Sequence, residues 1–192
     1  LPILLAGLGA GGVAALYNWL LGIAHQGMTE NFRMNRLLMW IQPENYSSGI
    51  GYQTVQGLYA IGSGGLFGKG LGKSLQKLGF IPESQNDMIF SIICEELGLF
   101  GAMCIILVFA LMLWRIIHIA QNAPDLFGTM LAAGVFAHVA VQVVLNIAVV
   151  TNFIPNTGVS LPFISYGGTA SFFLLLEMGI VLNISSKIRL ER

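Results

Sequence analysis

The stretch PESQNDMIFSIICEELGLFGAMCIILVFALMLW, residues 82–114, decides the fold, because it changes from a polar loop to an apolar segment at Met88. The apolar part is long enough to cross a bilayer, whose hydrocarbon core takes about 20 helical residues. Asp87 occupies the last position before it. A carboxylate at the edge of a membrane is costly to keep, so Asp87 is a candidate functional residue.

The composition of the whole chain agrees with a membrane protein. Hydrophobic residues make up 55% of the 192 residues and charged residues only 9%, whereas soluble domains carry about 25% charged residues. The formal net charge is zero, which gives no indication of a nucleic-acid partner. The sequence therefore predicts an all-α integral membrane protein.

Four segments have the length and composition of transmembrane helices. Two longer connections separate them: a loop over residues 24–87 and a turn over residues 151–166 that holds Pro155 and Pro162. Residues 53–61 of the loop predict a short amphipathic helix, ended by the glycines at 62–65. The chain begins with Leu1 inside an apolar stretch, so we expect a fragment that lacks its N-terminal part. The four predicted spans are residues 1–23, 88–114, 127–150 and 167–186.

The distribution of positive charge predicts the orientation. Lys187, Arg189 and Arg192 follow the last span and indicate a cytoplasmic end. Residues 24–87 and 151–166 then face outside. The long loop is itself rich in cations. These cations either bind an anion or belong to an ordinary solvated surface. These cations are Arg33, Arg36, Lys69, Lys73 and Lys77.

Polar residues recur within the predicted spans. His138, Gln142 and Asn146 are spaced by four residues and share one helix face, and Glu177 lies near the middle of the last span. Such residues face the helix bundle or a wet cavity. They either form hydrogen bonds between helices or line a hydrophilic path.

Two common site motifs are missing from the sequence. Gly72-Lys73-Ser74 resembles the end of a phosphate-binding loop, but position 67, where that motif needs glycine, holds Phe67. No His-Glu-x-x-His or Cys-x-x-Cys occurs, so no zinc site is predicted.

A series of motifs, in order along the chain, resembles the SEDS membrane proteins of the FtsW, RodA and SpoVE type. The family has ten spans, so the resemblance implies that this chain is its C-terminal part, spans seven to ten, and is inactive alone. Asn152-Phe153 and Gln85-Asn86 depart from common family residues, which leaves the subtype open. The motifs are Gly51-Tyr52-Gln53 with Gln56, Ala60-Ile61-Gly62-Ser63-Gly64-Gly65, Gly68-Lys69-Gly70, Pro82-Glu83 with Asp87-x-Ile89-Phe90, Glu95-Glu96-Leu97-Gly98, and Pro155 and Gly158 with Leu161-Pro162-Phe163-Ile164-Ser165-Tyr166-Gly167-Gly168-Thr169.

The resemblance implies a peptidoglycan glycosyltransferase in the bacterial cytoplasmic membrane, with its active site facing outside. SEDS proteins polymerise the lipid-linked disaccharide lipid II. They work with a class B penicillin-binding protein, a transpeptidase, within division or elongation complexes. This chemistry needs a base for the attacking hydroxyl, positive charge for the leaving diphosphate and an apolar groove for the lipid.

The resemblance also assigns candidate residues. Asp87 matches the essential aspartate of the family and is the candidate catalytic base; the alternative is that it caps the following helix. A divalent cation, Mg²⁺ or Mn²⁺, is expected to bridge the diphosphate to Asp87 or Glu83, and no organic cofactor is expected. The candidate substrate-binding residues are Lys69, Lys73, Arg33, Arg36, Gln53, Glu83 and Ser165.

Two other functions stay open at this point. A lipid II flippase or other transporter would use the His138, Gln142 and Asn146 face as a substrate path. A non-catalytic scaffold would only recruit the penicillin-binding protein. The charged motif at the membrane edge favours the glycosyltransferase, because a transporter needs its ionisable groups near the midplane.

Overall fold

The computed structural model describes residue 22 and residues 32–41, 50–76 and 85–188, and this part of the chain contains helices and no strand. The prediction of an all-α membrane fold is confirmed. Three helices are long and apolar enough to span a membrane: α3, α4 and α5. The predicted span at residues 1–23 lies outside the described residues except for Gly22. The helices are α1 (Phe32–Ile41), α2 (Ile50–Gly64), α3 (Ile89–Gln121), α4 (Leu126–Val150) and α5 (Gly168–Ser186).

Helix α3 is broken at Gly98, which has φ 69° and ψ −169°. This backbone conformation is essentially restricted to glycine. The break separates a short arm (residues 89–97) from a long arm (residues 99–121). At 1.5 Å per residue the long arm is about 34 Å long, enough by itself to cross a hydrocarbon core of about 30 Å.

The glycine loop (residues 65–76) fills the break. Leu99 N and Phe100 N, at the start of the long arm, donate to carbonyls of the loop and not to carbonyls of α3. The acceptors are Gly65 O (2.9 Å) and Leu66 O (3.1 Å), respectively. The carbonyls of Glu95 and Glu96, to which those two amides would donate in a regular helix, accept from residues 69 and 70 at 3.0 and 2.9 Å. The loop therefore replaces both backbone hydrogen bonds that the break removes.

Close backbone contact explains why glycines occur here. A Cβ on Gly68 would lie 2.2 Å from Glu96 O, and a Cβ on Gly64 would lie 1.9 Å from Cys94 O. Helix α2 also begins three residues earlier than predicted and includes Gly62 and Gly64. Packing against α3, rather than helix propensity, determines where α2 ends.

Helix α4 packs between α3 and α5. Asp125 is its N-cap and accepts a hydrogen bond from Gly128 N at 3.3 Å. Buried aliphatic residues such as Ile116, Val139 and Val181 form the core between the three helices.

The connection over residues 151–167 is ordered by contacts with α1. Trp40 Nε1 donates to Asn152 O at 3.0 Å, and Arg36 Nη1 donates to Asn156 O at 3.2 Å. Residues 32–41 and 50–64 of the predicted long loop are helical, and the placement of that loop outside the membrane stays a prediction.

Candidate functional site

Asp87 lies in a turn immediately before α3 and is half-buried. Its Oδ1 accepts a hydrogen bond from Gln53 Nε2 of α2 at 3.1 Å. The N-cap position of α3 is Met88, so the carboxylate of Asp87 belongs to the turn and not to the cap residue. A side-chain amide from a second helix thus orients a carboxylate at the start of α3.

Asn146 of α4 fixes the backbone of the same turn. It is completely buried, and its Nδ2 donates to Asp87 O at 2.9 Å and to Val159 O at 2.7 Å. Tyr166 N donates to Gln85 O at 2.9 Å. The turn that carries Asp87 is therefore held against both α4 and the connection over residues 151–167.

The other polar residues of the α4 face also form hydrogen bonds. Gln142 Nε2 donates to Ser160 O at 3.2 Å, and His138 Nδ1 lies 3.0 Å from Glu177 Oε2 of α5. Together with Asn146, these contacts favour the interpretation in which the polar face holds the bundle together.

A second carboxylate, Glu95, organises the glycine loop. Its side chain has no exposed surface, and its Oε1 lies 2.7 Å from Lys69 Nζ. Ser74 Oγ donates to Oε2 at 2.5 Å, and the amides of Leu75 and Gln76 donate at 3.3 and 3.4 Å. A buried carboxylate needs such a set of donors, because leaving it unpaired costs several kcal/mol.

A cavity of about 460 Å³ lies away from Asp87. It lies between α4 and α5 and includes Asp125, Asn183 and Lys187 in its lining. Asp125 precedes α4, whereas Asn146 beside Asp87 is some twenty residues further along that helix, about 30 Å away. The cavity therefore opens at the opposite end of the bundle.

Comparison with known proteins identifies the family. The family model for FtsW, RodA and SpoVE, described as "Cell cycle protein", matches residues 3–190. The chain belongs to this family. The chain is 48% identical over 154 residues to stage V sporulation protein E of Bacillus subtilis, covering 80% of this chain and 42% of that protein. It is 44% identical over 159 residues to the probable peptidoglycan glycosyltransferase FtsW of Trichlorobacter lovleyi, covering 83% of this chain and 42% of that protein.

Solved structures show the same fold. A chain from a peptidoglycan synthase complex, described in terms of structural coordination of polymerization and crosslinking, aligns with a TM-score of 0.65 and 24% identity, over 95% of this chain and 49% of that chain. A mutant of the rod shape determining protein RodA of Thermus thermophilus aligns with a TM-score of 0.53 and 22% identity, over 91% and 65%. The chain spans 42% of the length of the SpoVE and FtsW relatives named above, which is less than half of each.

Among the residues predicted for the site of this family member, the structure brings Asp87 and Gln53 together. Arg36 lies on α1 and contacts the connection over residues 151–167, and Lys73 is exposed in the glycine loop. Ser165 Oγ accepts from Leu161 N at 2.7 Å, which closes a turn in that connection. The side chain of Arg33 and all of Glu83 lie outside the described residues.

Lys69 was predicted to bind the diphosphate. In the structure its ammonium group pairs with the buried carboxylate of Glu95 instead. The pairing of Lys69 with Glu95 was not predicted. Gly68-Lys69-Gly70 and Glu95-Glu96-Leu97-Gly98 are separate family motifs, and their separation in the chain hides the contact. Asn146 was predicted on a polar face, but its role in holding the turn at Asp87 was not. The sequence indicated part of this role, because an amide inside an apolar span needs hydrogen-bond partners.

Proposed function

We propose that the full-length protein containing this chain is a peptidoglycan glycosyltransferase that polymerises lipid II into β-1,4 glycan strands. The observation that carries the proposal is the half-buried carboxylate of Asp87, oriented by Gln53 at the start of a spanning helix. Relatives of 44% identity bear the name probable peptidoglycan glycosyltransferase, which supports the same activity for this chain.

In the proposed reaction, the 4-hydroxyl of the acceptor GlcNAc attacks the anomeric carbon of the donor MurNAc. The bond from that carbon to the lipid diphosphate breaks, and undecaprenyl diphosphate leaves as an anion. Asp87 takes the hydroxyl proton as the new glycosidic bond forms, and attack from the opposite face converts an α-linked donor into a β-linkage. A positioned base of this kind contributes about 10²–10⁴-fold to a rate.

Gln53 has a supporting role in this proposal. Its amide donates to Oδ1 of Asp87, which restricts rotation of the carboxylate. Asn146 holds the backbone carbonyl of the same residue. The base is thereby positioned through both its side chain and its main chain, as a general base requires.

The diphosphate is proposed to bind at cations of the predicted long loop. Lys73 and Arg36 are candidates among the described residues, with Arg33 beyond them. Lys69 is already paired with Glu95, so we propose that its main role is to hold the glycine loop in position. Glu83 and Ser165 remain proposed substrate contacts.

A divalent cation, Mg²⁺ or Mn²⁺, belongs to the proposal, and Asp87 or Glu83 would hold it. The described residues contain no group of three or more His, Cys, Asp or Glu that could hold a metal ion. Mg²⁺ does not need one, because it is commonly held by one or two carboxylates together with substrate phosphates and water. The carboxylate of Asp87 is compatible with that arrangement, and the cation would supply positive charge for the leaving group.

The proposed location is the bacterial cytoplasmic membrane, with Asp87 facing outside and the end of α5 in the cytoplasm. Lys187 follows α5 in agreement with this orientation. We propose a class B penicillin-binding protein as partner, within a division or elongation complex. A structural neighbour that belongs to a complex coordinating polymerization and crosslinking supports this assignment.

The test is reconstitution of the wild-type full-length protein with its transpeptidase partner in liposomes that contain lipid II. Glycan strands, detected by gel electrophoresis, are the expected product, and vesicles with the transpeptidase alone are the control. Movement of lipid II between leaflets without glycan would replace the proposal with transport. Vesicles that show neither activity would leave only a scaffolding role.

A further inference from the structure

The glycine loop (residues 65–76) directs apolar side chains outward. Phe67 is 83% exposed, Leu71 76%, Leu66 66% and Leu75 57%. Loops that face water present polar residues instead, and a contiguous exposed apolar patch marks an interaction surface.

Two polar side chains of the same loop, and three of its amides, point inward. Lys69 Nζ and Ser74 Oγ both contact the buried carboxylate of Glu95. The amides of residues 68, 69 and 70 donate to Gly64 O, Glu95 O and Glu96 O. The loop thus has Lys69, Ser74 and these amides satisfied within the protein and large hydrocarbon side chains outside, the reverse of the arrangement in water.

The apolar patch is continuous with the exposed surface of a spanning helix. Gly65 O and Leu66 O accept from the amides of Leu99 and Phe100, so the loop lies directly against the first turn of the long arm of α3. Leu99, Phe100 and Met103 on that arm are themselves more than half exposed. The long arm has the length and composition of a membrane span, which makes lipid the expected neighbour of these residues.

We propose that the glycine loop is a membrane anchor, whose Leu66, Phe67, Leu71 and Leu75 insert among the lipid acyl chains of the leaflet nearest Asp87. Contact with hydrocarbon requires that backbone groups be satisfied internally, and the pairing with α3 does this for the amides of Lys69 and Gly70 and the carbonyls of Gly65 and Leu66. Lys73, exposed at the edge of the patch, has a stem long enough to place its charge among the headgroups. The anchor fixes the C-terminal end of α2, the helix that supplies Gln53.

A fluorescent label at position 67 tests the anchor in the full-length protein. The variant carries Phe67→Cys with Cys94, Cys104 and every other cysteine of the full-length protein replaced by alanine, is labelled with NBD, and is reconstituted in vesicles of phosphatidylcholine and phosphatidylglycerol without lipid II. Two matched single-cysteine proteins serve as controls: one that keeps Cys104, exposed on the long arm, and one with Thr157→Cys, exposed in the connection over residues 151–167.

The expected result is loss of NBD emission at position 67 when the phospholipid acyl chains are brominated, to the extent seen at Cys104, with no loss on addition of aqueous iodide. The label at position 157 shows the reverse. Quenching at position 67 by iodide alone would place the loop in water and overturn the proposal. Quenching by neither reagent would mean that protein covers the patch, which overturns it as well. Leu71→Cys repeats the measurement if Phe67→Cys does not fold.

Discussion

Replacing Gly98 by alanine is expected to release the glycine loop from α3. At φ 69° and ψ −169°, alanine is strained by about 1–3 kcal/mol. Its Cβ would also lie 2.3 Å from Gly68 N and 2.6 Å from Leu66 O, and backbone atoms cannot rotate away as a side chain can. We expect the docked loop to lose about 3 kcal/mol, which is a roughly hundredfold shift toward the released state.

Hydrogen exchange measured by mass spectrometry on the full-length protein detects this release. Peptides that cover residues 65–76 should lose protection in Gly98→Ala, because their amides no longer donate to α3. The matched control is Gly134→Ala in α4, where an added Cβ meets no atom within 4 Å and alanine is the better helix former. Unchanged protection of the loop in Gly98→Ala would refute the explanation of the break.

Three further substitutions probe the contacts around Asp87 and Glu95. Lys69→Met removes the cation from a buried carboxylate. Removing one partner of a fully buried pair costs about 3–5 kcal/mol; since Lys69 is itself about one-third exposed, we expect a smaller loss of about 2–3 kcal/mol, measured as a lower Tm. Asn146→Asp replaces an amide that donates to two backbone carbonyls by an acceptor, and should lower the Tm at least as much, since each buried carbonyl left unsatisfied costs about 1–3 kcal/mol. Gln53→Leu removes the donor to Asp87 and should lower kcat for polymerisation about 10- to 100-fold with little change in KM, because hydrogen bonds to charged groups contribute about 1.5–3 kcal/mol.

Each of these has a matched control in the chain. Lys73→Met changes an exposed lysine of the same loop and should shift the free energy of unfolding by no more than about 0.5 kcal/mol. Asn183→Asp makes the same change as Asn146→Asp at an exposed position. Gln56→Leu alters the neighbouring glutamine of α2. Equal effects in a test variant and its control would argue against the contact in question, and a rise in KM alone for Gln53→Leu would indicate sugar binding instead.

The spanning helices could be predicted from the sequence because their length and apolar composition are local properties. The predicted span at 88–114 corresponds to α3, which continues seven residues further, to Gln121. Arg115 marks the end of the apolar stretch, but a helix does not need apolar residues to continue its backbone hydrogen bonds. It stops at Asn122, just before Pro124.

The site was predictable in part. Asp87 was selected from its position at the membrane edge and from the family motif, and the four-residue spacing placed Asn146 on a polar face. The break at Gly98 could not be predicted, because glycine is common in membrane helices and the loop that fills the break is distant in sequence. The pairing of Lys69 with Glu95 depends on the same non-local contact.

The most direct test of the central claim is lipid II polymerisation by the full-length protein with its transpeptidase partner, wild type against Asp87→Asn. Asparagine keeps the size of the side chain but cannot accept the hydroxyl proton, so the account predicts a loss of rate of about 10²–10⁴-fold with the complex still assembled. Asp125→Asn is the control, because asparagine is an equally good helix N-cap and Asp125 lies at the opposite end of the bundle. Polymer formed at the wild-type rate by Asp87→Asn would contradict the assignment of Asp87 as the catalytic base.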